Sequence, residues 1–100
     1  MIDFLSKVGI SSKIINEIEI KNTSSTLFDL SCNEDDCLKI IKYLKEIGIK
    51  NIDELLIYEI DIFKLPFIEL VKKFGKFNIP LFVSFINDDV SAIENIFNVE

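Results

Sequence analysis

The chain has 100 residues, 49% of them apolar, and a formal net charge of −6; this is the length of one domain, with enough apolar residues for a core. Arginine, histidine, glutamine and tryptophan are absent and all eleven cations are lysine, so the commonest general base and metal ligand is missing, as is the planar fork that grips phosphate. A negative chain also repels nucleic acid at long range unless its lysines gather on one face.

Taken in order, residues 2–8 read as a short helix stopped at Gly9. Ser11 or Ser12 can cap a second helix running to about Lys21, with Ile14, Ile15 and Ile18 inward. Ile18 and Ile20 alternate as a strand would, but no second run is there to pair with it. Residues 22–25 form a polar break, and Ser24-Ser25-Thr26 can cap a short turn carrying Leu27, Phe28 and Leu30. The clearest element spans 31–49, SCNEDDCLKIIKYLKEIGI. Ser31 with Glu34 fits a capping box, in which two side chains satisfy unpaired N–H groups at a helix start. Glu34, Asp35 and Asp36 lie where the helix dipole favours negative charge. Cys37, Ile40, Ile41, Leu44 and Ile47 recur at helical spacing, and Gly48 stands where a left-handed cap falls.

Asn51 with Glu54 repeats the cap logic for a fourth helix carrying Ile52, Leu55, Leu56 and Tyr58. Asp61 can cap one more turn, residues 62–65. Pro66 suits the first position of the next helix, which carries Phe67, Ile68, Leu70, Val71 and Phe74 and stops at Gly75. Asn78 caps another, with Pro80 in its first turn and Leu81, Phe82, Phe85 and Ile86 on its apolar face. Asn87-Asp88-Asp89 breaks the chain and caps a last helix over 90–97, with Ile93, Ile96 and Phe97 inward. The expected fold is all-α, a single domain over 1–100, built as a compact bundle or short α-solenoid of five to seven short helices.

Nineteen isoleucines and nine phenylalanines exceed what a domain this small can bury, so an exposed apolar patch is expected. The same bias towards Ile, Lys, Asn and Phe also fits an AT-rich genome. Cys32 and Cys37, five apart on one expected helix, point to different faces and suit no intrahelical disulfide. C-x4-C with no second Cys or His pair is a poor zinc site, and Cys37 reads as a small core residue. The N-terminal MIDFLSKVGI has no basic segment before a long apolar run, and the charge-free run 77–87 is too short to cross a bilayer. A reduced cytoplasmic setting with no membrane is expected.

One pattern occurs three times: Leu5-Ser6-Lys7-Val8-Gly9, Leu44-Lys45-Glu46-Ile47-Gly48 and Val71-Lys72-Lys73-Phe74-Gly75. An isoleucine follows the first two, Ile10 and Ile49. The glycines are 39 and then 27 residues apart, so the period is loose. FLSKVGI…IINEI…LFDLS and YLKEIGIKNIDELLIYEIDIF resemble repeats of the mitochondrial transcription termination factor family, over roughly residues 4–75. Where that family has a proline followed one residue on by leucine or phenylalanine, this chain shows Leu27-Phe28 and Ile62-Phe63 without the proline. The resemblance implies an α-solenoid-like stack of short helices and nucleic-acid binding along a basic concave face.

Acid pairs at Asp35-Asp36, Asp53-Glu54 and Asp88-Asp89 read as helix starts, not as catalytic dyads. NEDDC lacks the glycine and spacing of a calcium loop, and the three glycines are isolated caps, not a phosphate loop. No enzyme, cofactor or metal is expected. Lys72, Lys73 and Lys76, with Phe74 and Phe77 between them, are the candidates for the alternative of nucleic-acid binding by charge and stacking. The leading expectation is a protein–protein interaction module. Its binding candidates are Phe63, Phe67, Phe77, Phe82 and Phe85, and its partner is another protein, a basic one, or a second copy. A small acidic inhibitor or immunity-type protein is the specific version.

Overall fold

The computed structural model describes residues 1–99, and among these it contains helices and turns and no strand. Six α-helices and three 3-10 segments follow one another. They are η1 (Asp3–Val8), α1 (Ser12–Lys21), α2 (Ser24–Ser31), α3 (Glu34–Glu46), α4 (Ile52–Tyr58), η2 (Ile60–Lys64), α5 (Phe67–Phe74), α6 (Ile79–Asp88) and η3 (Val90–Asn98). They fall into three successive trios, 3–31, 34–64 and 67–98. Corresponding members lie side by side: α3 between η1 and α5, α1 on α4, and α2 on η2. The radius of gyration is 12.7 Å, that of a compact chain of this length at about 13 Å.

Short polar side chains start four of the nine described elements. Ser11 Oγ accepts from the Ile14 N–H at 3.2 Å, and Thr23 Oγ1 from the Thr26 N–H at 3.2 Å. Asn78 Oδ1 accepts from the Leu81 N–H at 3.1 Å, and Asp89 Oδ1 from the Ser91 N–H at 3.0 Å. The expected capping box at Ser31 does not form. Ser31 is the last residue of α2 and donates its hydroxyl to the Phe28 carbonyl (2.7 Å), while α3 begins at Glu34. Cys32 therefore lies off α3 and is exposed. Asn51 does not cap α4 either. Its amide donates to the Ile86 carbonyl at 2.9 Å, and its Oδ1 is buried with no partner among the described residues. Pro66 sits just before α5, one position earlier than expected, and η2 starts at Ile60, ahead of Asp61.

The three glycine turns divide. Gly9 and Gly48 have φ of +83° and +104°, and the isoleucine after each closes a six-residue loop to a leucine. The Ile10 N–H donates to Leu5 O (3.3 Å) and the Ile49 N–H to Leu44 O (3.0 Å). All four of these side chains are buried, which is the apolar contact such a cap brings. Gly75 has φ −63° and continues the helical path, so the third copy of the pattern is not the same turn.

α3 is the hub. Cys37, Ile40, Ile41 and Leu44 are fully buried, and the helix touches η1, α2, α4, η2 and α5. Each buried aliphatic there contributes about 1.5–3 kcal/mol. Asparagine amides then tie the trios together. Asn22 donates to Ile57 O (3.2 Å), and Asn33 to Phe63 O and Leu65 O (2.9 and 3.1 Å). Asn87 donates to Gly48 O (3.0 Å) and accepts from the Lys50 N–H (2.9 Å). Asp36 accepts from the Phe67 N–H at 3.2 Å.

Two substitutions check this description by urea unfolding. Gly48→Ala is expected to destabilise by about 1–2 kcal/mol, since an alanine is strained at that φ, whereas Gly75→Ala is expected to be neutral or stabilising by up to about 1 kcal/mol. Asn33→Ala leaves two half-buried carbonyls unpaired and is expected to lower stability by about 1–3 kcal/mol, with Asn95→Ala, whose amide bonds only locally to Ala92 O, as the near-silent control.

Candidate functional site

The phenylalanines expected to bind a partner separate into two groups. Phe63 is fully buried and is a core residue, so it offers no ring to a partner. Phe67 is half-buried and meets Tyr43 edge-on at 6.1 Å. The other three line one groove of about 520 Å³ between α6 and η3. Phe77 and Phe82 stack face to face there, centroids 4.2 Å apart and 12° from parallel. Phe82 leans on Phe74 at 5.2 Å, and Phe74 meets Tyr43 edge-on at 5.8 Å. A continuous run of aromatic rings thus joins α3 to the floor of the groove, each contact adding about 0.5–1.5 kcal/mol beyond burial.

The walls of the groove differ from the floor. Leu81 and Phe85, one turn apart on α6, are 53% and 54% exposed. Ala92 and Asn95 of η3 face them across the groove, and Asp88 and Asp89 close one end. Leu81 had been expected on the inward face of its helix; α6 is apolar on several sides, and Phe82, Val83 and Ile86 take the core. Phe97, also expected inward, is 45% exposed, as is Tyr58 at 59%.

Charge is unevenly spread over the trios. The first members and the turns after them (η1, α3 and α5) hold seven of the eleven lysines and six carboxylates. The remaining described residues hold four lysines and ten carboxylates, and residues 77–99 contain no lysine at all. Asp88 and Asp89 stand at the C-terminal end of α6, where the helix dipole is itself negative and no basic residue occupies the last turn. The Ser91 N–H and hydroxyl, from which Asp89 accepts, lower its carboxyl from the ordinary value. Asp88 makes no hydrogen bond or ion pair among the described residues.

Lys72 and Lys76 are exposed beside a second groove of about 530 Å³. Lys73 is engaged with Glu69 (4.0 Å) and the Val99 carbonyl (3.4 Å). The rings between them are occupied: Phe74 is fully buried and Phe77 is stacked on Phe82. Among the described residues no three His, Cys, Asp or Glu side chains stand close enough to share a metal ion, and no helix is long and apolar enough to cross a membrane.

One concavity had no signal in the sequence. Glu59, between α4 and η2, and Glu94 of η3 line a cleft of about 640 Å³ together with Tyr58, Asp61 and Phe97. Glu59 and Glu94 lie 35 positions apart, and neither belongs to a local pattern. Burial first, then Glu94 and the charges of Asp61 and Asp89, push the Glu59 carboxyl up to about 7.

No family model matches the chain, and no curated protein or solved structure matches it.

The two thiols are sharply distinguished. Burial, and then the Glu34 charge, push the Cys37 thiol up to about 12, while Cys32 is exposed. In the native protein a disulfide reagent at neutral pH is expected to modify Cys32 alone, with Cys37 reacting only on unfolding. Mass mapping of the modified peptides checks this.

Proposed function

We propose that the chain is a non-enzymatic protein-binding module and that its partner docks in the α6/η3 groove. The observation that carries this reading is an exposed apolar channel whose only charges are carboxylates. Leu81 and Phe85 present two large apolar side chains to solvent on a chain that buries 27 others. Exposed patches of this kind usually mark interaction sites, and a rigid aromatic floor loses little freedom on binding. The acids at one end select the partner's chemistry: a basic amphipathic helix, with apolar side chains one turn apart seated on Phe77, Leu81 and Phe85 and a lysine or arginine meeting Asp88. A small acidic inhibitor of a basic protein is one form such a module takes.

The supporting measurement is titration with a basic amphipathic peptide carrying leucines at i and i+4. Binding that weakens as salt rises is expected. Leu81→Asp and Phe85→Asp are expected to weaken it about tenfold or more while leaving the melting temperature near the parent's, since both side chains are half in solvent. Phe63→Ala is the contrasting case, expected to destabilise by about 3–5 kcal/mol through a core cavity. Affinity indifferent to salt and to both groove substitutions would overturn the reading. Sedimentation as a monomer is expected, and Leu81→Asp should leave it unchanged; a dimer dispersed by that change would assign the groove to a second copy instead. A gel shift with DNA or RNA at low salt that Lys72→Ala and Lys76→Ala abolish would favour nucleic acid.

A further inference from the structure

The groove on α6 runs the whole length of that helix. Asn78, Leu81, Phe85 and Asp88 line it and follow one another at intervals of three or four residues, the stripe that one face of a helix presents. Over its ten residues α6 advances about 15 Å, and that distance separates the Asn78 end of the groove from the Asp88 end.

The two ends carry opposite charge. At one, Asp88 and Asp89 add to the negative end of the helix dipole. Beyond the other, Lys76 directly precedes Phe77 of the groove floor, and Lys72 stands one turn earlier, in the last turn of α5. Both lysines are exposed. The polar contacts in this cluster belong to Lys73, which takes Glu69 at 4.0 Å and the Val99 carbonyl at 3.4 Å, so the Lys72 and Lys76 ammonium groups are unpaired among the described residues. The N-terminal end of the α6 dipole has their sign. Lysine pair, dipole and acid pair thus set up one field along the groove, positive at Phe77 and negative at Asp89. At physiological ionic strength charges are screened over about 8 Å, which is shorter than the groove. Each end therefore acts on the part of a partner that lies against it.

We propose that the groove fixes the direction of its partner: the docked helix lies along α6 with its basic end at Asp88 and Asp89 and an acidic end at Lys72 and Lys76. The two lysines are then part of a protein interface. This deepens the docking reading and rests on it. The matching partner has apolar side chains in its middle and charges of opposite sign about ten residues apart at its ends. A helix basic at both ends meets Asp88 equally well but sets like charge against Lys76, which is how a site rejects a near-relative of its partner. The rings beside these lysines are taken, Phe74 by the core and Phe77 by its stack on Phe82. No free aromatic face is left there for a nucleic-acid base, so a protein carboxylate is the better match.

Two peptides test this, each with leucines at i and i+4 and a basic end; one has an acidic opposite end and the other is basic at both. Calorimetry with the parent protein is expected to give a several-fold preference for the first. A double variant, Lys72→Glu with Lys76→Glu, is expected to reverse that preference and to melt near the parent, since both side chains are exposed. A nitroxide on the basic end of the first peptide is expected to broaden the parent's Asp88 and Asp89 amide signals, and one on the acidic end those of Lys76 and Phe77. Equal affinity of the parent for both peptides, or a preference that the double variant keeps, overturns the direction while the binding itself upholds docking. Broadening at both ends of the groove by one label does the same. Absence of binding by either peptide overturns the docking reading and the direction with it. A single-stranded oligonucleotide that displaces the first peptide from the parent, and fails to bind the double variant, overturns the assignment of the lysines in favour of nucleic acid.

Discussion

Every helix leaves four N–H and four C=O groups without partners inside it, and this chain is made of helices so short that the ends dominate. α4 has seven residues and α3, the longest, has thirteen. None of them would persist alone in water. The structure depends on how those end groups are satisfied, and the answer is largely asparagine. Asn22, Asn51 and Asn87 send their amides to carbonyls of a neighbouring trio, 35 to 39 residues away, and Asn33, at the junction before α3, sends its amide to carbonyls 30 and 32 residues on. A side chain that occupies a helix end and reaches across does two tasks: it fills an orphan acceptor and fixes the spacing between units. Serine and threonine, which cap α1 and α2 locally, are too short for that second task.

The ties explain how a small core supports a defined surface. Burial along α3 gives cohesion but little direction, since aliphatic side chains slide. The asparagine bonds add direction between trios. The aromatic run through Tyr43, Phe74, Phe82 and Phe77 carries that order outward to the groove floor. The opposite wall is built differently. η3 is a nine-residue 3-10 segment capped by Asp89 at its start.

Much of the fold was legible from local pattern. Ser11, Asn78 and Asp89 cap the elements they were expected to cap, Gly48 makes the expected left-handed turn, and Gly9 ends its helix as expected, also with positive φ. Cys37 is in the core. What failed did so for a common reason. Ser31 and Asn51 satisfy the local rule for a helix start, but Ser31 gives its hydroxyl to the Phe28 carbonyl of its own helix and Asn51 sends its amide to the distant Ile86 carbonyl. Asn33 is committed to Phe63 O and Leu65 O, which places the helix break at Cys32 and Asn33 and leaves Ser31 behind in α2. At the groove, composition marked phenylalanine without marking direction. α6 carries apolar residues on several faces, so Phe82 and Phe85 are equivalent in sequence and opposite in exposure, 4% against 54%. The meeting of Glu59 and Glu94 at one cleft had no sequence signal because tertiary packing alone creates it.

The placement of Asp88 argues for a use outside folding. An acid in the last turn of a helix opposes the dipole at a cost of about 0.3–1 kcal/mol, and a lysine there would stabilise. Asp89 offsets that cost by capping η3 and accepting two hydrogen bonds from Ser91. Asp88 has no such return, and the stretch 77–99 offers no cation to neutralise it. The chain is not short of lysine; seven stand on η1, α3, α5 and their following turns. Negative potential is thus concentrated where the most exposed apolar pair on α6 lies, and nothing in the fold consumes it. On the proposed reading, a partner cation at that end would be attracted by the dipole and both carboxylates together, while its apolar neighbours would cover Leu81 and Phe85. The electrostatic cost carried by the isolated fold and the attraction available to a partner are the same local field.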